Sequence, residues 1–163
     1  MVHSYQDTQD VTYDNPAYYG PGGSMMMTSI DLVRWTDALF TPGKILTQNS
    51  LVEMMTTVNT PIVAPKPNGS RYGLGIYSLT IPDMGIVWWY TGVIRGYSSI
   101  MMWIPSKHIT VVAQINRLQG ENYGLLFPHQ EFMQQVLKII DVAQITAEST
   151  SNIQTPQTLL IHK

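Results

Sequence analysis

Two strand-like runs meet at a polar edge in the stretch Trp88-Trp89-Tyr90-Thr91-Gly92-Val93-Ile94-Arg95-Gly96-Tyr97-Ser98-Ser99. Gly96 permits the bend from which the second strand starts, and Gly92 lets a ligand or another chain approach the backbone closely. Tyr90 and Thr91 place two hydroxyl groups beside that approach. The pattern predicts a β-hairpin whose edge can receive a substrate.

Four β-rich runs follow residue 71 and are separated by Pro, Gly or Asp. They cover residues 72–80, 85–90, 97–104 and 109–116, and successive strands of this kind predict an antiparallel meander. In the run 109–116 one face is fully apolar and the other is mixed, so we expect helices to cover at least the apolar face.

Two short amphipathic helices are predicted before the strands. The first covers residues 29–40, where Thr28 and Asp31 have the spacing of a capping box and apolar residues recur at helical intervals. The second begins near Thr47, and a final helix with Pro128 in its first turn is expected to cover the sheet. The predicted fold class is therefore α+β, an antiparallel β-meander covered by helices.

The predicted domain covers residues 1–143, and residues 144–163 form a polar flexible tail because they are rich in Thr, Ser, Gln and Asn. Residues 1–23 are expected to be irregular and to close in a tight turn. The methionine groups are expected in the core, since methionine commonly fills irregular packing. They are Met25 to Met27, Met54-Met55 and Met101-Met102.

Composition excludes several classes of function. Hydrophobic residues make up 44 % of the chain, charged residues only 12 %, and the net charge is -2, which argues against a nucleic-acid partner. There is no cysteine and the four histidines are scattered, so we predict no metal site and no cofactor. No run approaches the roughly 20 apolar residues of a transmembrane segment, and the first residues lack the features of a signal peptide.

Three motifs occur in a fixed order. Residues 20–32 read GPGGSMMMTSIDL, residues 71–76 read RYGLGI, and Tyr90-Thr91-Gly92 is followed by Gly96-Tyr97-Ser98-Ser99. This order resembles the C-terminal half of the serine β-lactamase and penicillin-binding protein superfamily, in particular its class C β-lactamase, D-alanyl-D-alanine carboxypeptidase and esterase branch. The resemblance implies the C-terminal part of the β-lactamase/transpeptidase-like fold.

The resemblance also implies a serine acyl-enzyme and assigns roles to the third motif. Tyr90 takes the place of the family's Lys or His, Thr91 and Gly92 contact the substrate, and the N–H of Val93 is one oxyanion-hole donor. Tyr90 is a departure from the family pattern because a neutral phenol cannot supply the positive charge of lysine.

The attacking serine is the larger departure. No serine in the 163 residues has lysine three positions later, and Tyr13-Asp14-Asn15 spells Tyr-x-Asn much closer to the helix cap than the family places it. We therefore expect the C-terminal part of a hydrolase of β-lactams, D-alanyl peptides or esters that is inactive alone, pairs with a missing N-terminal half or with itself, and acts outside the cytoplasm. The alternative is a non-catalytic binding or assembly module.

Two further side chains lie close to the motif. Arg95 either binds an anionic substrate group or forms a surface ion pair, which is the commoner role of such an arginine, and we keep it as a candidate substrate-binding residue. Trp88 and Trp89 point to opposite faces of a strand, so one is expected in the core and the other beside the cleft.

Overall fold

The computed structural model describes residues 2–59, 69–119, 135–136 and 138–140. The chain divides into two compact units, Met1–Phe127 and Pro128–Lys163. The described residues of the second unit are helical and fall within the predicted final helix. The rest of that helix, the predicted boundary at residue 143 and the predicted tail lie outside the described residues.

The described elements of the first unit are two short strands, two helices and then seven further strands. They are β1 (Tyr5–Gln6), β2 (Gln9–Asp10), α1 (Ser29–Phe40), α2 (Gln48–Met55), β3 (Val58–Asn59), β4 (Arg71–Tyr72), β5 (Tyr77–Ile81), β6 (Gly85–Ile94), β7 (Tyr97–Ile104), β8 (Ile109–Ile115) and β9 (Arg117–Leu118). Short 3-10 segments occur at Pro16–Gly22 and Pro105–Lys107.

Six of these strands form one sheet in the order β3-β4-β5-β6-β7-β8, and every neighbouring pair is antiparallel. The predicted α+β fold with an antiparallel meander is therefore confirmed. β7 has the predicted bounds, and β6 continues to Ile94, four residues beyond its predicted end.

The strand predicted over residues 72–80 is wrong in its middle. The chain leaves the sheet between β4 and β5, where the Gly73 N–H donates to the Ile76 carbonyl at 2.8 Å and the Leu74 N–H donates to the Met54 carbonyl at 3.0 Å. Gly75 has φ of 75°, a conformation that favours glycine. The Tyr-Gly-Leu-Gly sequence is therefore a turn that contacts the last residues of α2.

Both helices begin at a threonine cap, which agrees with the predicted capping box at Thr28 and with the predicted helix start near Thr47. The Thr28 hydroxyl accepts from the Asp31 N–H at 3.2 Å and donates to the Asp31 carboxylate at 2.7 Å. The Thr47 hydroxyl accepts from the Ser50 N–H at 3.2 Å. A cap of this kind stabilises a helix by about 1 kcal/mol, which matters most for α2 because it has only 8 residues.

The two helices lie on the mixed face of the sheet and not on the apolar face of β8. The Ser29 hydroxyl donates to the Gln114 amide oxygen at 2.8 Å, and the Thr36 hydroxyl lies 3.4 Å from the Met101 sulfur. On β6 the same face of the sheet carries the apolar side chain of Trp88, which packs in a buried cluster with Phe40, Leu51 and Ile76. The prediction that a helix covers the apolar face of β8 concerns the final helix, most of which lies outside the described residues.

The methionine prediction is wrong for two residues. Met25 and Met26 are 70 % and 69 % exposed, because they lie in an extended segment before the cap of α1. Met102 is fully buried, and Met54 packs against the cluster of Phe40, Leu51, Ile76 and Trp88.

The prediction that residues 1–23 are irregular is also wrong in part. β1 pairs with β2 antiparallel and with β9 parallel, in a separate three-stranded sheet. Strands of two residues carry no detectable periodicity, so this sheet had no signal in the sequence. Asp10 closes the β1–β2 hairpin, accepting hydrogen bonds from the hydroxyl and N–H of Thr12 at 2.5 and 2.9 Å and pairing with His3 at 2.8 Å.

We predict that the Asp10 carboxylate makes stability depend on pH. The hydrogen bonds from Thr12, followed by the one from His3, lower the pKa of Asp10 to about 2. Because the folded pKa lies below the ordinary value of about 3.9, its contribution is fully present above that value and is lost as the pH falls toward 2. Thermal unfolding should therefore give a lower Tm for Asp10→Asn than for the unsubstituted chain at pH 5, and the difference should shrink toward pH 2. A difference that grows on acidification would contradict this.

We predict that Gly73→Ala destabilises the chain by about 1–3 kcal/mol, as overpacking does. A Cβ at this position would collide with the Met54 carbonyl oxygen. Gly22→Ala is a matched control, because a Cβ there meets nothing within 4 Å, and it should change the free energy of unfolding by less than about 0.5 kcal/mol. Urea unfolding of both variants measures the difference. Equal stability of the two would show that the Tyr-Gly-Leu-Gly turn can move away from α2.

Candidate functional site

β6 is longer than its neighbour β5, so the C-terminal end of β6 extends beyond β5. Its pairing with β5 ends at Tyr77 opposite Trp89, whereas its pairing with β7 continues to Ile94 opposite Tyr97. Within the described part of the chain, Tyr90–Ile94 therefore has a strand on one side only. We call the unpaired side of Tyr90–Ile94 the open edge.

The hairpin register determines which backbone groups face the open edge. Only two residues separate Ile94 from Tyr97, and the pair that closes such a loop exchanges both of its hydrogen bonds. Hydrogen-bonded and non-bonded pairs alternate along an antiparallel ladder. The N–H and C=O groups of Val93 and Thr91 therefore point away from β7, toward the open edge.

Side chains in and just after the Tyr-Thr-Gly motif are accessible to solvent, whereas the two tryptophans before it are buried. Tyr90 and Val93 are 39 % and 36 % exposed. Trp88 and Trp89 are both buried, at 7 % and 0 %, so the prediction that one of them flanks a cleft is wrong. Each tryptophan has an apolar face of the sheet to pack on, which the sequence of one strand does not reveal.

Three tyrosines meet at the start of the open edge, and we call Tyr72, Tyr77 and Tyr90 the tyrosine cluster. The ring of Tyr77 lies 4.7 Å from that of Trp89, 5.8 Å from that of Tyr90 and 4.5 Å from that of Tyr72, between ring centroids. Burial, with Tyr90 and Tyr77 nearby, raises the pKa of Tyr72. Sequence reasoning missed this cluster, although Tyr72 stands at the head of the Tyr-Gly-Leu-Gly motif.

Arg95 lies at the far end of the open edge, in the turn. Its guanidinium forms an ion pair with Asp14 at 2.9 Å and donates to the Gln9 amide oxygen at 2.6 Å. Its backbone N–H donates to the Tyr19 hydroxyl at 3.1 Å. The structure thus joins Arg95 to the N-terminal segment that precedes α1.

The three sequence motifs converge on β6. A Cβ on Gly23, in the Gly-Gly turn, would lie 3.2 Å from the Ile94 side chain, and the Tyr77 ring contacts both Tyr72 and Tyr90 at the other end of the edge. The Tyr-x-Asn candidate has a local role instead, because Asn15 caps the 3-10 segment by accepting from the Ala17 N–H at 3.0 Å.

Within the described ranges, no group of three or more His, Cys, Asp or Glu side chains lies close enough to hold a metal ion. No helix among those residues is both long and apolar enough to cross a bilayer.

We predict alternating hydrogen exchange along the open edge. The amides of Thr91 and Val93 should exchange about tenfold or more faster than those of Tyr90 and Ile94, because paired amides must open first. Trp89 is an internal control: its N–H points the same way as that of Thr91, yet it pairs with β5 and should be protected. Residue-resolved exchange by NMR measures the pattern. Uniform protection of residues 90–94 would mean that another segment covers this edge.

The fold agrees with comparisons to known proteins. A model of the family described as Beta-lactamase matches residues 2–129. Among solved structures, a D-stereospecific amidohydrolase from Streptomyces sp. is 28 % identical with a TM-score of 0.61, over 71 % of this chain and 35 % of that one. A D-amino acid amidase from Ochrobactrum anthropi SV3, solved with D-phenylalanine, is 25 % identical with a TM-score of 0.60, over 85 % of this chain and 44 % of that one.

The chain therefore spans less than half the length of either solved protein. No curated protein sequence matches it. The family match nevertheless covers more than half of the 163 residues, and the antiparallel sheet agrees with the fold of the solved proteins. The chain belongs to the Beta-lactamase family.

Proposed function

We propose that this chain supplies the substrate-binding strand of a serine acyl-enzyme hydrolase that cleaves amides, with D-amino acid amides as the substrate class. The attacking serine and its lysine belong to polypeptide outside these 163 residues. The observation that carries the proposal is the open edge, where the N–H groups of Thr91 and Val93 face away from β7.

In this proposal the Val93 N–H donates to the oxyanion that forms when the serine attacks the carbonyl carbon. Acyl transfer needs such a donor because negative charge develops on the carbonyl oxygen in the transition state. The Val93 N–H meets the requirement of availability, since the β6–β7 ladder does not use it. A donor held by a strand also needs little reorganisation during the reaction.

Thr91 and Gly92 bind the substrate beside this donor. An extended acyl chain can pair with the N–H and C=O of Thr91 as an added strand would, because these groups are directed toward the open edge. The absence of a side chain at Gly92 keeps that part of the strand narrow. Space there is small, since a Cβ at Gly92 would lie 3.0 Å from the Ser99 hydroxyl.

Tyr90 favours a neutral substrate over one with a free carboxylate. β-Lactams and D-alanyl peptides carry a carboxylate, which a neutral phenol cannot attract as lysine does. The two similar solved proteins are described as a D-stereospecific amidohydrolase and a D-amino acid amidase. Simple amides and esters lack this carboxylate and fit Tyr90 better.

The guanidinium of Arg95 forms an ion pair with Asp14 at 2.9 Å. It can bind an anionic substrate group only if that group replaces the Asp14 carboxylate. The replacement exchanges one carboxylate for another, so little affinity is gained. We accordingly expect Arg95→Gln to change the acylation rate less than a substitution at Val93.

Exposed apolar side chains support pairing with a missing half or with a second copy. Met25, Met26 and Ile30 are 70 %, 69 % and 64 % exposed, near and within the start of α1. Large exposed apolar areas mark contact surfaces. Size-exclusion chromatography with light scattering should show self-association of the chain alone, and a monomer at high concentration would count against it.

We also propose that the complete enzyme acts outside the cytoplasm.

A non-catalytic binding module is the second candidate function. It is favoured by one observation, that no serine in the 163 residues has lysine three positions later. Under this alternative the open edge binds an extended peptide without cleaving it.

We predict that the 163-residue chain alone is not acylated by a p-nitrophenyl ester or a fluorescent penicillin. Reading the DNA in frame upstream of Met1 should reveal a Ser-x-x-Lys element, and the longer polypeptide should be acylated at that serine and should hydrolyse D-amino acid amides. Mass spectrometry locates the acyl group. Labelling of the chain alone would refute the missing nucleophile, and a longer polypeptide that never reacts would favour the binding module.

We predict that Val93→Pro in the longer polypeptide lowers the acylation rate by about 10²–10³, the usual effect of losing an oxyanion-hole donor. Proline removes the N–H but no bond of the β6–β7 ladder, so the strand should persist. Val93→Ala is the matched control, because it keeps the N–H and should retain most of the rate. A similar loss in both variants would show that the side chain, and not the N–H, matters.

A further inference from the structure

The length of the open edge is set by what binds the backbone N–H groups at its two ends. Trp89, Thr91 and Val93 come at intervals of two residues in β6, so their N–H groups face the same side of the strand. At the near end the N–H of Trp89 pairs with β5, where Trp89 lies opposite Tyr77. The first N–H that β5 leaves unpaired is therefore that of Thr91.

The far end of the edge is closed by Tyr19. Arg95 follows Val93 by two residues, in the turn after β6, and its N–H donates to the Tyr19 hydroxyl at 3.1 Å. The phenol oxygen thus occupies the place where a strand added to this edge would put its next carbonyl oxygen. Within the described part of the chain, Thr91 and Val93 are the residues of the edge whose N–H groups remain for a ligand.

Tyr19 is held at this end by its own segment of chain. A Cβ on Gly23 would lie 2.7 Å from the Tyr19 Cβ and 3.2 Å from the Ile94 side chain, so the Gly-Gly turn packs against both. The ion pair of Arg95 with Asp14 joins the hairpin turn to the same segment. A ligand that displaced the phenol would have to disturb these contacts, so Tyr19 is a fixed end to the edge.

Two available donors suit a short ligand. Because a strand rises about 3.4 Å per residue, Thr91 and Val93 lie about 7 Å apart, and an extended chain of about three residues spans both. With the scissile carbonyl oxygen at the Val93 N–H, about one further residue fits opposite Ile94. The next residue along would need the Arg95 N–H, which the Tyr19 hydroxyl already binds.

We propose that Tyr19 is a specificity-determining residue, which ends the open edge at Arg95 and limits substrates to about one residue on that side of the scissile carbonyl. The inference rests on the proposed function, in which the Val93 N–H donates to that carbonyl oxygen, and it specifies the substrate as a short amide and not a polypeptide. A longer substrate meets the phenol and leaves its own carbonyl oxygen without a donor, which weakens its binding in the transition state.

The first test uses the 163-residue chain and needs no activity. Tyr19→Phe keeps the ring but removes the hydroxyl that accepts from the Arg95 N–H, and we expect the Arg95 amide to exchange about tenfold faster or more. Residue-resolved hydrogen exchange by NMR measures this rate. Tyr18→Phe is the matched control, because Tyr18 is 90 % exposed, and it should leave Arg95 unchanged. Unchanged Arg95 exchange in Tyr19→Phe would overturn the closed end of the edge.

The second test compares substrates of different length in the longer polypeptide that carries the Ser-x-x-Lys element. They are D-alanine amide and the same amide extended by two glycines, either on its amino group or on its leaving group. We expect the unsubstituted enzyme to prefer the short amide over at least one extended form. Tyr19→Ala should raise kcat/KM for that form, relative to the short amide, by about tenfold or more.

The ratio of the two kcat/KM values distinguishes a limit on substrate length from a structural role of Tyr19. A looser edge would slow all three substrates and leave the ratio unchanged, whereas removal of the phenol changes the ratio. Tyr18→Ala is the control and should keep the ratio of the unsubstituted enzyme. An unchanged ratio in Tyr19→Ala for both extended amides would overturn the inference.

The two tests separate the inference from the proposed function. If no form of the longer polypeptide hydrolyses any of the three amides, the proposed function fails and the limit on substrate length fails with it, whatever the exchange of Arg95 shows. If the short amide is hydrolysed and Tyr19→Ala leaves both ratios unchanged, the proposed function stands and the role of Tyr19 fails. A gain for an extended amide in Tyr19→Ala, absent in Tyr18→Ala, supports both.

Discussion

The difference in length between β5 and β6 is the constraint on which the site depends. β6 has 10 residues and β5 has 5, so the open edge exists because β5 begins late. β5 begins late because the Tyr-Gly-Leu-Gly turn takes the chain out of the sheet and toward the end of α2, where the Leu74 N–H binds the Met54 carbonyl. Gly73 permits that close approach. A contact between a turn and a helix thereby leaves the backbone of Thr91 and Val93 available.

The other end of the open edge is fixed by the N-terminal segment. A Cβ on Gly96 would meet Ser4 and Val11, so the turn after β6 packs directly against that segment. The Tyr97 hydroxyl donates to the Val2 carbonyl at 2.9 Å, and the Arg95 N–H is bound by Tyr19. Because different parts of the chain hold the two ends, the N–H groups between them are held in place, and the proposed oxyanion donor needs this preorganisation.

Local signals in the sequence predicted a large part of this structure. The capping box at Thr28, the apolar pattern after Thr47 and the uninterrupted run of β7 predicted their elements closely, because each depends on residues near in sequence. The sequence also marked the Tyr-Thr-Gly stretch as a sheet edge. It did not predict the three-stranded sheet, the break between β4 and β5 or the tyrosine cluster. These depend on strand register and on contacts between distant residues, which one sequence pattern does not encode.

The proposed chemistry at the open edge depends on Tyr90, which stands where the family pattern has Lys or His. Lysine attracts a carboxylate from a distance, whereas a phenol acts only within hydrogen-bonding reach and depends on its orientation. Tyr90 by itself is a flexible side chain, and fixing it has an entropic cost, part of which the ring contact with Tyr77 offsets. Under the proposed function, a neutral donor fixed in this way discriminates between substrates by the fit of one oxygen atom. The proposal therefore replaces selection by charge with selection by geometry, and it makes the rigid neighbours of Tyr90 as important to recognition as Tyr90 itself.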